Sequence, residues 1–248
     1  MLHGLCRGDM DPAGLAWMFT VLVGEPMDEI LQRFLAVARS SARPAHRATY
    51  EDLVFTLDAF LLMRRRDVTR MTAKDLRLFL GSWYLRQCRP LTPSRIRRFC
   101  AAARVFVRWL TLESTPRRRR DLQRESKSIV RAVLRAGRAS EKLELLDQLQ
   151  LVPRRQGSAQ VDDYCEIVVR GERHLVLRPL SSGNLVGPVE VPDDLAAALD
   201  PGALVNLRLT QDAGRWRIQE YGYCYPASAR AALDDIDGGF TWTPMERQ

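Results

Sequence analysis

Residues 91–110, LTPSRIRRFCAAARVFVRWL, contain an amphipathic helix together with its start signal. Thr92 followed by Pro93 is typical of a helix start, because a threonine hydroxyl accepts a free backbone N–H and proline is tolerated in the first turn. Apolar side chains then recur every three or four positions and cluster within about 80° of arc; they are Ile96, Phe99, Ala103, Phe106 and Leu110. A second set of side chains lies roughly 140° from the centre of that stripe; it comprises Arg97, Arg104 and Arg108. The segment therefore predicts a helix with one buried face and a basic ridge, and this ridge fits either a solvated surface or a phosphate contact.

Three further helices are predicted before this one. The first has Pro26 in its first turn, an apolar stripe from Ile30 to Ala38, and an end before Pro44. The second is expected to start near Thr49 and to bury Tyr50, Leu53, Leu57, Phe60 and Leu61. The third begins at a capping box formed by Thr72 and Asp75, and its apolar face is predicted to contain Leu76, Phe79, Leu80 and Trp83. Residues 26–112 thus predict a four-helix unit.

Charge is distributed unevenly along the 248 residues. The net charge is +8, but residues 1–160 carry +14 and residues 161–248 carry −6. Such asymmetry indicates a polyanionic partner for the basic part. Of the 38 basic residues 35 are arginine, a bias that a GC-rich genome would also produce. That bias explains the choice of arginine over lysine but not the difference in sign between the two parts.

Composition excludes several classes of protein. Apolar residues make up 46% and charged residues 27%, which favours packed domains over disorder. No run reaches 18 apolar residues, so no spanning helix is expected. Five scattered cysteines without a CxxC motif and three widely separated histidines predict neither a disulfide scaffold nor a metal site, and no cofactor is expected.

The first 25 residues contain an apolar run, Leu15 to Val23, that we interpret as a short helix. A signal peptide would need a more basic start and a small-residue cleavage site, so this alternative is disfavoured. Either Met1 or Met10 fits as the first residue.

Residues 116–155 predict a basic helical connector. It opens with Arg117–Arg120, and Arg124, Lys127, Arg131 and Arg135 are then interleaved with Leu122, Ile129, Val133 and Ala136 at helical spacing. Gly137 is expected to end or bend this helix, and Ser140 to cap a second short helix. The connector fits a clamp on nucleic acid or a solvated helix between domains, and residues 153–161 are interpreted as a linker.

Residues 156–226 predict a small β-domain. Alternating side chains from Tyr164 to Arg170, a turn at Gly171, and a return strand from Leu175 to Leu177 indicate a hairpin. Later strands are predicted at 186–191, 205–209 and 216–220, with a short helix at 193–199 and a turn at 212–214. Five short strands fit a small β-barrel or a curled antiparallel sheet. Trp216, Tyr221, Tyr223 and Tyr225 are interpreted as core or edge residues, and residues 227–248 as an initially helical tail.

The helical unit resembles the N-terminal SAM-like, core-binding domain of tyrosine recombinases, which include phage integrases. The matching blocks are MDEILQRFL (27–35), ATYEDLVFTLDAFL (48–61), DVTRMTAKDLRLFL (67–80) and LTPSRIRRFCAAARVFVRWL (91–110). The resemblance covers residues 26–112 and rests on helical spacing more than on invariant residues. It implies an all-α bundle that closes over one face of a DNA duplex, with phosphate contacts from the starts of the second and fourth helices.

Carried onto this chain, the resemblance implies that the start of the second helix contributes Arg43, Arg47 and Thr49. The start of the fourth contributes Arg89, Thr92, Ser94, Arg95 and Arg98. Helix N-termini favour phosphate through unpaired N–H groups, although Thr92 would cap its helix in any protein. The basic ridge and the connector extend the predicted DNA contacts to Arg97, Arg104, Arg108, Arg117, Arg118, Arg119 and Arg120.

The recombinase catalytic set is missing from the sequence. That chemistry needs two arginines, a lysine, a His-x-x-Arg box and a nucleophilic tyrosine; no His-x-x-Arg occurs, and only 88 residues follow residue 160. No GxSxG, HExxH or Walker loop occurs either. We therefore expect a protein without enzymatic activity.

Together these features predict an α+β protein: an integrase-like helical domain at 26–115, the connector, and the β-domain. The expected function is double-stranded DNA binding in the cytoplasm, in association with the nucleoid, with the acidic β-domain regulating the basic part or binding a protein partner. The alternative is a protein–protein adaptor whose helical bundle no longer contacts DNA.

Overall fold

The computed structural model describes residues 27–87, 92–112, 114–148 and 159–230. Within them, helices occupy the N-terminal half and a five-stranded sheet the C-terminal part, which confirms a mixed helical and sheet protein. The helices are α1 (Glu29–Ser41), α2 (Pro44–Met63), α3 (Ala73–Leu78), α4 (Tyr84–Gln87), α5 (Pro93–Leu110), α6 (Pro116–Gln148) and α7 (Asp193–Ala198). The strands are β1 (Ala159–Arg170), β2 (His174–Pro179), β3 (Val186–Glu190), β4 (Leu204–Asp212) and β5 (Arg215–Tyr225).

Helix starts follow local side-chain chemistry. Asp28 caps α1 by accepting the Ile30 N–H, whereas Pro26 lies outside the described residues. The capping box of Thr72 and Asp75 starts α3 as predicted, and Phe79–Trp83 then forms a π-helical turn leading into α4. Thr92 caps α5 with Pro93 in its first turn, also as predicted.

The predicted start of the second helix near Thr49 is wrong. Helix α2 begins at Pro44, with Arg43 in the cap position, so Thr49 lies in its second turn. The proline expected only to end α1 also opens α2, because a residue without an N–H is tolerated in a first turn.

The predicted break at Gly137 is wrong as well. Helix α6 runs without interruption from Pro116 to Gln148, so Ser140 lies inside it and donates its hydroxyl to the Ala136 carbonyl. A Cβ at Gly137 would lie 2.6 Å from Ile96 Cδ1 of α5. The glycine therefore allows close packing of two helices rather than ending one.

The helical core is formed by the predicted apolar stripes. Leu31, Leu53, Leu76 and Ile96 are each almost completely buried in one cluster. Aromatic rings fill its centre; Tyr84 stacks on Phe99 with centroids 3.6 Å apart, and Phe34 meets Phe106 edge-on at 5.0 Å.

The five strands form a curled sheet. They pair in the order β1-β2-β3-β5-β4, and β1 also pairs with β4, so the pairings run around a ring. The contact between β3 and β5 is parallel and consists of the single pair Val189 with Trp216, whereas every other junction is antiparallel. The prediction offered a barrel or a curled antiparallel sheet. This region is a curled sheet that is antiparallel except at the junction of β3 and β5.

Helix α6 belongs to both cores. Its first half contributes Leu122, Ile129 and Val133 to the helical core, and its second half contributes Ala136, Ala139 and Leu143 to the core of the sheet. In return, Leu204, Tyr225 and Ala229 from the C-terminal part are buried in the helical core. The Cys224 N–H of β5 donates to Ser140 Oγ of α6 at 3.1 Å. The predicted connector is therefore a central helix that both parts pack against.

Two predicted segments lie largely outside the described residues. They are the N-terminal segment 1–25 and most of the tail, in which Ala227–Ala229 forms a short 3-10 turn where a helix was expected. Residues 153–158 of the predicted linker also lie outside, whereas its last three residues belong to β1, which begins at Ala159. In the described residues, no helix is both long and apolar enough to cross a membrane.

Candidate nucleic-acid interface

The polar residues at the start of α5 are engaged within the protein. Thr92 Oγ1 accepts the Arg95 N–H at 3.2 Å and lies 3.0 Å from Ser94 Oγ. The guanidinium of Arg95 reaches Asp52 of α2, with Nη2 and Oδ2 3.6 Å apart. Burial raises the pKa of Asp52, and the neighbouring Arg95 acts against that rise. These contacts tie α5 to α2, and Arg89 lies outside the described residues.

The start of α2 presents two exposed arginines. Arg43 occupies the cap position without a side-chain cap bond, and Arg47 lies in the first turn. Thr49, one half-turn further, is half-buried. Only the two arginines match the predicted arrangement of cations at a helix start.

The four arginines Arg117–Arg120 differ in their hydrogen bonds. Arg118 donates to the backbone carbonyls of Val68 and Met71, both at 3.3 Å. Arg119 donates to the carbonyls of Thr111 and Leu112, at 2.8 and 2.6 Å. Thr111 and Leu112 directly follow the last residue of α5, so Arg119 satisfies carbonyls at the C-terminal end of that helix. Arg118 and Arg119 therefore hold α6 against its neighbours, whereas Arg117 and Arg120 are exposed and make no such bond within the described residues.

The ridge on α5 is exposed as predicted. Arg97, Arg104 and Arg108 all face solvent, and helical geometry puts them within about 40° of one another. They lie about 80–120° around the helix from Ile96, which packs on α6. Arg98 is exposed as well, but its position on the helix is directed away from α6.

A longer row of cations follows α6. Its members recur at spacings of three or four residues and fall within about 80° of arc, opposite the buried stripe; they are Arg117, Arg120, Arg124, Lys127, Arg131, Arg135, Arg138 and Lys142. At 1.5 Å per residue the row extends over about 37 Å. The sequence pattern predicted this row only as far as Arg135, because a helix end was expected at Gly137; Arg138 and Lys142 extend it.

The two rows lie on the same side of the α5–α6 hairpin. The helices run antiparallel, because Ile96 near the start of α5 packs on Gly137 in the second half of α6, and Arg119 at the start of α6 donates to Thr111 at the end of α5. Helical geometry then directs both rows to one side of the plane through the two axes. Consistent with this, Arg97 of α5 and Arg138 and Lys142 of α6 line one groove of about 360 Å³, together with Glu141. We call this surface the basic face.

Few acidic groups neutralise the centre of the basic face. Arg124 meets Asp121 at 3.5 Å in an exposed pair, and Arg135 and Lys142 pair with the sheet region. In the part of the chain that the structure describes, the remaining cations have no acidic partner; they are Arg97, Arg104, Arg108, Arg117, Arg120, Lys127, Arg131 and Arg138. Guanidinium groups bind phosphate through two parallel N–H donors, so this face can hold a phosphodiester backbone at several points.

The sheet region offers a different surface. Arg208 pairs with Asp162 at 2.7 Å and with Glu220 at 3.0 Å, so the charge of this arginine is neutralised within the sheet region. Tyr225 is buried, while Trp216, Tyr221 and Tyr223 pack against the two cores. This confirms their interpretation as core or edge residues.

The described cysteines are buried thiols. Burial raises the pKa of Cys100, Cys165 and Cys224 to about 12 in each case, so these thiols stay protonated at neutral pH. Across the described ranges, no three His, Cys, Asp or Glu side chains are grouped so as to hold a metal ion.

Comparison of the chain with protein-family models, with curated proteins and with solved structures finds no match in any of the three.

Proposed function

We propose that this chain binds double-stranded DNA through the basic face, without chemical conversion of the DNA. The observation that supports this proposal is the placement of two rows of cations, from α5 and α6, on one side of a helical hairpin. A single charged ridge is common on solvated helices, but two aligned rows concentrate positive potential over one surface. The adaptor alternative gives no reason for that alignment.

The dimensions of the basic face suit a duplex backbone. The row on α6 extends over about 37 Å, and B-form DNA carries one phosphate charge per about 1.7 Å of its axis. Cations of this row are therefore within reach of many phosphates along a duplex that lies on the hairpin. Because arginine–phosphate contacts carry no base information, we expect binding with little sequence preference.

The resemblance to integrase core-binding domains is part of this proposal, with a change in the contacting residues. The starts of α2 and α5 contribute Arg43, Arg47 and Arg98 at most, since Thr92, Ser94 and Arg95 are engaged within the protein. The main contacts shift to Arg97, Arg104 and Arg108 and to the row on α6. The SAM-like character of the helical part is proposed on the basis of the same resemblance.

Salt-dependent binding of the full chain to a duplex tests the proposal. With about five phosphate contacts, the slope of log affinity on log salt should be about −4 to −5. The variant Arg104→Ala/Arg131→Ala removes one cation from each row and should make the slope shallower by about 1.8. Fluorescence anisotropy with a labelled duplex at several salt concentrations measures both quantities.

A matched control keeps the charge change but moves it to the sheet. Arg173 and Arg215 pair with Asp193 and Glu190, and both arginines are exposed. Arg173→Ala/Arg215→Ala should leave the slope unchanged. Absence of duplex binding by the unmodified chain at low salt would reject DNA binding and favour the adaptor.

A further inference from the structure

The row of cations on α6 continues under the sheet region. Arg135 and Lys142 occupy the same helical face as Arg131 and Arg138, at the same three- and four-residue spacing. Arg135 Nη1 lies 2.9 Å from Asp200 Oδ2, and Lys142 Nζ donates to Asp194 Oδ2. Both aspartates come from the segment around α7, between β3 and β4. Two members of the row are thus occupied by carboxylates of the same chain.

We propose that Arg135 and Lys142 are two further phosphate-binding residues, which Asp200 and Asp194 hold until the phosphates of a bound duplex replace them. This inference rests on the proposed DNA binding. A carboxylate and a phosphate oxygen present the same kind of acceptor to a guanidinium or ammonium group, so the two compete for the same donors.

The exposure of these pairs makes exchange feasible. Arg135 is 62% exposed and Asp194 66% exposed, so phosphate can approach without separation of the two cores. Exposed ion pairs are weak, so a phosphate contact can offset their loss. The hydrogen bond from Lys142 lowers the pKa of Asp194, so this carboxylate, which is ionised at neutral pH, stays ionised further into acid.

The position of the aspartates also limits the length of the binding surface. Arg117 to Arg131 extends over about 21 Å of helix, whereas the full row to Lys142 extends over about 37 Å. With both aspartates in place, a duplex meets unopposed cations mainly along the first part of the row. Neutralising them exposes the full row to phosphate.

Neutralisation of both aspartates tests this competition. In the full chain, Asp194→Asn/Asp200→Asn should bind a duplex about three- to tenfold more tightly at moderate salt, since two exposed pairs no longer oppose binding. The salt slope should become steeper by about 1.8, because two more phosphates are contacted. Adding Arg135→Gln/Lys142→Gln to this variant should abolish both gains.

A matched control separates local competition from a general change in charge. Asp193→Asn/Glu190→Gln also removes two negative charges from the sheet region, but their partners are Arg173 and Arg215, outside the row. Equal gains in the control, or an unchanged salt slope in Asp194→Asn/Asp200→Asn, would overturn the competition while leaving DNA binding intact. If the unmodified chain shows no salt-dependent binding, the proposed function fails first and this inference with it.

Discussion

At the scale of single residues, one amino acid serves two different purposes in this protein. Arg118 and Arg119 donate to backbone carbonyls, and Arg77 forms a two-point bond to Glu125 with both distances 2.8 Å. Arg104 and Arg131 instead lie on the exposed basic face. The number of arginines in a segment can be read from the sequence. Which of them form hydrogen bonds within the protein depends on carbonyls and carboxylates that are distant in sequence.

Capping residues, by contrast, could be predicted from sequence. The capping box of Thr72 and Asp75 and the cap at Thr92 were predicted because all participating atoms lie within three residues of one another. The additional pairing of Asp75 with Arg64 and Arg66 depends on the path of a loop, and no pattern in the sequence indicated it.

A buried carboxyl on α2 gives stability a pH dependence. Burial raises the pKa of Asp58, while the backbone N–H of Asp28 lowers it and the charge of Asp28 raises it further. The folded protein then binds a proton more readily than the unfolded chain, so the contribution of Asp58 to stability falls as pH rises from its unfolded pKa through its folded pKa. We expect Asp58→Asn to gain stability relative to the unmodified protein across that rise, and to keep the gain at neutral pH.

Urea unfolding from acid to neutral pH measures this difference. The exposed carboxylate variant Asp193→Asn provides the control and should show no comparable gain. A stability difference between Asp58→Asn and the unmodified protein that stays constant with pH would contradict the assigned role of Asp58.

At the scale of elements, periodicity predicted the buried faces, but two boundaries were wrong: the start of α2 and the supposed end at Gly137. The stripes of α1, α2, α3 and α5 were confirmed because a 3.6-residue repeat reports directly on which side is buried. Gly137 misled the prediction, since a glycine in a helical pattern fits either an end or a close contact. Because the helix was expected to end at Gly137, the predicted row of cations on α6 did not include Arg138 and Lys142.

Enlarging Gly137 should separate α5 from α6. Gly137→Leu introduces a good helix former, so a loss of stability cannot come from helix propensity. Because even a Cβ would lie 2.6 Å from Ile96 Cδ1, we expect destabilisation of about 1–3 kcal/mol from overpacking. Chemical denaturation monitored by circular dichroism measures the change.

The same substitution at an exposed position of α6 controls for the added side chain. Ser128→Leu should change stability by no more than about 0.5 kcal/mol. Ile96→Ala should partly relieve the cost of Gly137→Leu, giving a clear non-additive coupling between the two positions. Additive effects would mean that Gly137 does not pack against Ile96.

At the scale of the whole molecule, the basic N-terminal part and the acidic C-terminal part of the chain are in direct contact through ion pairs. Asp194 and Asp200 from the acidic part meet Lys142 and Arg135 of the basic part. The sign of the net charge of each part could be obtained from the sequence. The sequence could not show that both parts pack on α6, or that residues of the C-terminal part are buried in the helical core. Deleting residues 156–248 would therefore remove packing as well as charge, which is why point variants test the competition better.

Sharing of core residues predicts that the two parts unfold together. Leu204 lies on β4, yet its fully buried side chain belongs to the helical core. Leu204→Ala should therefore lower the free energy of unfolding by about 2–5 kcal/mol. The helices and the strands should lose this stability together. Hydrogen exchange with mass spectrometry at increasing urea follows peptides from α2, α5 and β4 separately. If the parts were independent, peptides from α2 and α5 would keep their midpoint while those from β4 shifted. A common shift of all three is the expected result, because loss of Leu204 removes contacts from a core that contains side chains of both parts.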